Sequence, residues 1–282
     1  MSMTALSVPP IEREDVHEFD DDRFHPGRVC VVTGGASGIG RAVVLAAAVN
    51  GLTVLATDVD EAGLAETIEH AERLAVADRV ETVAADLEDD AALEAITDAA
   101  RERGNVSYLA NVAGLQHVAP LESFPLSAYD RIQRVMLRAP FVLTRHLWED
   151  LEANDGCVGN MASVHGHYVT SDKVAYNTVK FGIRGLTQSI AAEGDGDVRA
   201  FSVSTGYVKT PLVTEQIPET AAQRGLEVDE VIEDVMLGQA RTGEMMTPLE
   251  VANLFLFGFS GLASHLNGGD LLFDDGMTLT YE

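Results

Sequence analysis

The chain has 282 residues, 46% of them hydrophobic, enough for one α/β domain that buries its core without disulfides. Its 45 acidic residues oppose 19 basic ones, for a formal net charge of -26, a balance that repels nucleic acid and anionic membrane. No run of about 18 apolar residues is present, which excludes a spanning helix.

Such a charge also repels itself and opposes compaction. Molar salt cuts that repulsion, because the screening length falls to about 3 Å at 1 M. A halophilic, cytoplasmic protein is therefore expected. Only three lysines occur, Lys173, Lys180 and Lys209. Cys30 and Cys157 sit in apolar runs and read as buried reduced thiols, with neither a bridge nor a metal site expected.

Residues 1–27 are acidic and proline-flanked, and they read as a flexible arm. They lack a basic start followed by an apolar stretch, so no secretory signal is expected. From Arg28 onward β-branched runs alternate with helical stretches. Strands are predicted at Val29–Thr33, Thr53–Asp58, Val80–Ala84, Tyr108–Asn111, Val158–Met161, Ala200–Ser204 and Leu271–Phe273. Helices are predicted at Gly40–Asn50, Glu61–Leu74, Asp89–Arg103 and Ser127–Leu151, among others. This alternation implies an α/β, doubly wound parallel sheet of the Rossmann type, in one domain over residues 28–282.

The first strand runs into Thr33-Gly34-Gly35-Ala36-Ser37-Gly38-Ile39-Gly40. Glycines there permit a tight turn and close backbone approach, and the following helix offers free N–H groups to a pyrophosphate. Asp58 ends the second strand 18 residues later. A carboxylate at that place accepts from both ribose hydroxyls and repels a 2′-phosphate, which favours NAD over NADP. Asp86 follows the third strand and is expected near the adenine. Asn111 to Gly114 ends the fourth strand at the same sheet edge, where ligands gather.

Tyr176 and Lys180 lie four apart in a helical stretch, on one face and about 5–6 Å apart at Cβ. A nearby ammonium favours the phenolate and suits the tyrosine to take a proton from an alcohol as hydride leaves. Ser163, just past the fifth strand, is placed to hydrogen-bond the substrate oxygen.

The set TGGASGIG (33–40), Asp58, NVAG (111–114), Ser163 and YNTVK (176–180) resembles the short-chain dehydrogenase/reductase family. Further segments, LQHVAPLESFP (115–125), MASVHGHYVTSDKVAYNTVK (161–180) and GYVKTPLVTEQI (206–217), are similar to its D-3-hydroxybutyrate dehydrogenase branch. The resemblance implies a homotetramer with catalytic Ser163, Tyr176 and Lys180. It implies a NAD site built from Gly34, Ser37, Gly38, Ile39, Gly40 and Asp58. Asp86, Leu87, Asn111, Gly114, Val208 and Thr210 would complete that site with Tyr176 and Lys180. It also implies that Gln116, His165, Lys173 and Gln216, with Ser163, hold a small carboxylate substrate under a helical lid over about 211–246. Neutral donors and one local cation suit an anion in this acidic chain.

Some positions depart from the family. Its catalytic asparagine lies in a VNL segment that here reads Val135-Met136-Leu137. Its NNAG and PG segments read NVAG, with Val112, and Thr205-Gly206. Two other readings follow: a dehydrogenase of another short hydroxy acid or secondary alcohol, and a dinucleotide-binding scaffold with residual activity.

Overall fold

A computed structural model describes residue 8 and residues 10–215, 217–218, 220–221 and 225–279. Seven strands form one sheet: β1 (Arg28–Thr33), β2 (Thr53–Asp58), β3 (Val80–Ala84), β4 (Asn105–Asn111), β5 (Cys157–Met161), β6 (Arg199–Thr205) and β7 (Asp270–Phe273). All neighbours are parallel, in the order β3-β2-β1-β4-β5-β6-β7. The expected doubly wound sheet is therefore present, and its order reverses between β1 and β4. β1, β5 and β6 are buried along almost their whole length, and β1 accordingly reads as a nearly continuous apolar run, while the buried Asn160 of β5 and Ser202 and Ser204 of β6 bond to Thr187 and Asp270. The edge strand β3 exposes Glu81 and Thr82 instead.

The main helices are α1 (Gly38–Val49), α2 (Glu61–Arg73), α3 (Asp90–Arg101), α4 (Leu126–Gln133), α5 (Ala139–His146), α6 (Trp148–Ala153), α7 (Val174–Glu193) and α8 (Pro248–Phe259). One core joins α1, α2 and α8 to the sheet, with Leu45, Phe255 and Phe259 fully buried. The other joins α3, α5 and α7 to the opposite face through Leu93, Leu143 and Val179. Each such side chain contributes roughly 1.5–3 kcal/mol of transfer free energy. A third, small cluster gathers Ile217, Val231, Ile232, Met236 and Met245. It belongs to the segment after β6, which carries short helical turns at Pro211–Thr214 and Val228–Glu230.

Three sequence expectations are corrected. The single helix expected over Ser127–Leu151 is broken. A π-helical turn at Arg134–Arg138 separates α4 from α5, and Leu147 leaves helical geometry before α6. Pro140 has no N–H to return to the carbonyl one turn back, so the ladder widens there. β4 starts at Asn105, not Tyr108, because pairing with β1 continues across a register shift between Val29 and Cys30. The polar Asn105 and Ser107 hid that extension.

The third correction concerns the arm. From Ile11 it lies against the body, with Val16 and Phe24 buried. Asn50 accepts from the Phe19 N–H at 2.7 Å and donates to the His17 carbonyl at 3.0 Å. Thr53 donates to the Pro26 carbonyl at 2.8 Å. A few apolar side chains among many acidic ones suffice to dock it.

Candidate active site

The site lies where the sheet order reverses. Thr33, at the end of β1, accepts from the N–H groups of Val112 and Ala113 at 3.0 and 3.1 Å. This ties the ends of β1 and β4 together. Gly34 has φ of +74°, and a Cβ there would stand 2.8 Å from the Ala113 Cα. A Cβ on Gly40 would stand 1.9 Å from the Gly34 carbonyl oxygen. The loop can close this tightly only with glycine at both positions.

α1 starts in that loop, and its cap residue Ser37 makes no side-chain bond to the first turn. The first N–H groups and the positive end of the helix dipole are left for a ligand. A cleft of about 300 Å³ opens there, lined by Gly34, Ser37, Gly38, Ile39, Gly40, Asp58, Asp86, Leu87, Gly114, Val208 and Thr210. These residues fit a dinucleotide: a phosphate cradle at one end and a carboxylate at the ribose position. Asp58 accepts from the N–H groups of Ala36 and Asp60 at 3.2 and 3.1 Å. The Arg41 guanidinium is engaged by the carbonyls of Ala36 and Gly63, by Thr67 and by Glu66.

The same cleft receives Ser163, Tyr176 and Lys180. Ser163 caps the turn after β5 and accepts from the His165 N–H at 3.2 Å. Tyr176 and Lys180 share one face of α7. Tyr176 and Ser163 line the cleft together. The Lys180 ammonium donates to the Met161 carbonyl at 2.7 Å and stands 5.3 Å from the Tyr176 ring centroid. Burial holds the Tyr176 hydroxyl above its ordinary pKa, against an opposing effect of the Ser163 hydroxyl. Burial lowers Lys180 to about 7. Without nucleotide, burial thus outweighs the expected activation of Tyr176 by Lys180.

The short chain dehydrogenase family model matches residues 28–221. The chain belongs to the short-chain dehydrogenase family. The D-beta-hydroxybutyrate dehydrogenase of Cupriavidus necator is 31% identical over 89% of this chain and 97% of its own length. The enzyme of that name from Rhizobium meliloti is 37% identical over 62% of this chain and 69% of its own. A solved structure from Beutenbergia cavernae, named for an NAD(P)-dependent gluconate 5-dehydrogenase with bound NADP, has 29% identity and a TM-score of 0.79, covering 92% of this chain and all of that one.

In this short-chain dehydrogenase Met136 lies in the π-helical turn at the family's asparagine position. It is buried in the cleft wall. The turn persists without an asparagine amide, as Pro140 accounts for. Asn111 does not line the cleft. It is buried below it and donates to Asn160 at 2.8 Å, and Asn160 donates in turn to Thr187 at 2.9 Å. Both are cross-links between β4, β5 and α7.

The residues expected at the substrate are spread more widely. Lys173 precedes α7 and lines a neighbouring cavity of about 390 Å³ with Tyr168, Thr170, Tyr207 and Met236. His165 is buried, with Nδ1 at 3.4 Å from the Ser163 hydroxyl and Nε2 at 3.0 Å from the Thr170 hydroxyl. Its pKa falls to about 3 through burial first, then the charges of Lys173 and Lys180. It is a neutral imidazole. Gln116 lies partly buried in the loop after β4. Gln216 lies outside the described residues. Val59, Ala85 and Arg131 also line the cleft and were not expected there. Val59 was legible as the neighbour of Asp58; nothing in the sequence marked Arg131.

Proposed function

We propose that this oxidoreductase transfers hydride between NAD and a short 3-hydroxy acid, interconverting D-3-hydroxybutyrate and acetoacetate. The observation that carries this reading is the meeting of Ser163, Tyr176 and Lys180 in one cleft with Asp58. Bound NAD supplies the hydride acceptor and a positive nicotinamide ring. Gly38 and the first turn of α1 bind its phosphates, and Asp58 binds its adenosine ribose. Ser163 orients the substrate oxygen, and Tyr176 takes its proton. Lys180 sits beside Tyr176 and binds the nicotinamide ribose. Lys173, the lysine of the adjoining cavity, supplies the cation for the substrate carboxylate, with Gln116, His165 and Gln216 as neutral partners. The 211–246 segment, with its own small core, serves as the lid that excludes water.

The named relatives support the substrate, and Asp58 supports NAD through like-charge repulsion of a 2′-phosphate. Leu126, Phe141 and Phe181, exposed on α4, α5 and α7, support a homotetramer. The net charge of -26 supports a halophilic, cytoplasmic setting, in which stability rises between low and molar KCl.

The test is NADH oxidation with acetoacetate in molar KCl, with NADPH and acetoacetyl-CoA in parallel. Turnover with acetoacetate and NADH alone, lost about 100-fold or more in Tyr176→Phe, is the expected result. Tight NADH binding without turnover of either substrate removes the 3-hydroxybutyrate reading and leaves the dinucleotide site.

A further inference from the structure

Ser163 can orient a substrate oxygen only while its own turn is held still. That turn is a single 3-10 helical stretch over Val164–Gly166, with Ser163 before it and His167 after it. Inside it the Gly166 N–H donates to the Ser163 carbonyl at 2.8 Å, and the His167 N–H to the Val164 carbonyl at 2.9 Å. These bonds shape the turn but do not fix where it sits.

Its place is fixed from two sides. His167 Nε2 lies 2.9 Å from the Asp270 Oδ2 on the edge strand β7. The other carboxylate oxygen, Oδ1, accepts from the hydroxyls of Ser202 and Ser204 on β6, the latter at 2.9 Å. The Arg184 Nε of α7 stands 4.0 Å from Oδ2. The Asp270 side chain is only 13% exposed, and a carboxylate so far from water needs such a set of donors. On its other side the turn lies against α7. A Cβ on Gly166 would stand 2.7 Å from the Lys180 carbonyl oxygen, and the Arg184 guanidinium donates to the Gly166 carbonyl. The serine turn is therefore caught between β6 and β7 on one side and, on the other, the helix that carries Tyr176 and Lys180.

We infer that His167 and Asp270 are positioning residues for Ser163, so that the edge strand β7 sets the serine hydroxyl against Tyr176. This rests on the dehydrogenase reading above and does not depend on which alcohol is oxidised. Neither side chain lines the cleft, so both act through the turn. Alignment in such a site is held to about 0.5 Å, and a misplacement of about 1 Å can cost on the order of 100-fold in rate. Removing the Asp270 carboxylate would also strand the hydroxyls of Ser202 and Ser204. His167 is the partner that can be changed without disturbing β6.

Two polar replacements separate the contact from the fold. A glutamine amide reaches the place of the imidazole Nε2, and an asparagine amide reaches only the place of Nδ1. Hydrogen exchange, read by mass spectrometry on the enzyme without substrate, follows the turn directly. Amides over 163–168 should exchange about 10-fold faster in His167→Asn than in wild type, and at the wild-type rate in His167→Gln. The kcat should fall about 10-fold in His167→Asn and recover in His167→Gln, while NADH affinity, from fluorescence titration, stays unchanged in both. On a Ser163→Ala background His167→Asn should lower the residual rate no further. Wild-type exchange or wild-type kcat in His167→Asn, or an equal loss without the Ser163 hydroxyl, overturns the inference. A wild-type enzyme that oxidises no short-chain alcohol removes the dehydrogenase reading instead, and the exchange rates alone then decide whether His167 and Asp270 hold the turn.

Discussion

The Met136 sulfur accepts a hydrogen bond from the Leu115 backbone N–H at 3.4 Å. This contact pins the loop after β4 to the π-helical turn between α4 and α5, in the wall of the cleft. Met136→Leu keeps the volume but leaves that N–H without its acceptor. It should cost up to about 1 kcal/mol and raise KM for NAD more than it lowers kcat. Met136→Asn restores an amide and should leave kcat at or above wild type. Steady-state kinetics with thermal unfolding checks both. A large loss of kcat in Met136→Asn would mean that the site has been rebuilt around methionine.

Much of this was legible before any coordinates. The cofactor loop could be read because its glycines answer a steric demand that no other residue meets, as Gly34 and Gly40 show. Tyr176 and Lys180 could be read because helical periodicity fixes which residues share a face. What escaped depends on tertiary contacts. The Asn111 amide reaches down to Asn160, a contact that the chain order does not show. The His165 ring nitrogens face Ser163 and Thr170, an orientation that the sequence does not show either. The direction of the Asn111 side chain is set by Asn160, a neighbour distant in sequence. The acidic N-terminal segment was misjudged for a related reason: composition averages over Val16 and Phe24, the residues that dock it.

Asp58 should decide the nucleotide. Its carboxylate already accepts from the Ala36 and Asp60 N–H groups, so it is held in place in the cleft wall. Asp58→Ser removes the charge but keeps an acceptor. The ratio of kcat/KM for NAD to that for NADP should fall roughly 10- to 100-fold, the scale of a like-charge penalty of a few kcal/mol. An unchanged ratio would mean that another group excludes the 2′-phosphate.

Asn50 is the main tie between the N-terminal segment and α1. Its side chain bonds to the Phe19 N–H, the His17 carbonyl and the Ala46 carbonyl, and it is buried. Asn50→Ala leaves the Phe19 N–H without that partner at a cost of about 1–3 kcal/mol. Tm should drop by about 2–4 °C for each kcal/mol lost, while kcat stays at the wild-type value. Differential scanning calorimetry paired with initial rates measures this. An unchanged Tm would show that the segment is docked by Val16 and Phe24 alone.

Lys180 should make activity and stability pull in opposite directions, with a definite pH signature. Its pKa is about 7 when folded, against an ordinary lysine value of 10.5. Below pH 7 both states carry the proton, and the fold bears the whole penalty of a buried ammonium, about 5 kcal/mol at about 1.36 kcal/mol per unit. Between pH 7 and 10.5 the unfolded chain binds more protons than the folded one, so this penalty shrinks as pH rises. Lys180→Met removes the charge and fills similar space, at the expense of the bond to the Met161 carbonyl, worth about 1 kcal/mol. The variant should lose activity yet unfold at a higher temperature than wild type. The gain should be largest at or below pH 7 and decline toward pH 10. A gain that does not vary with pH would mean that Lys180 keeps its ordinary pKa in the folded protein, and the burial argument would fail.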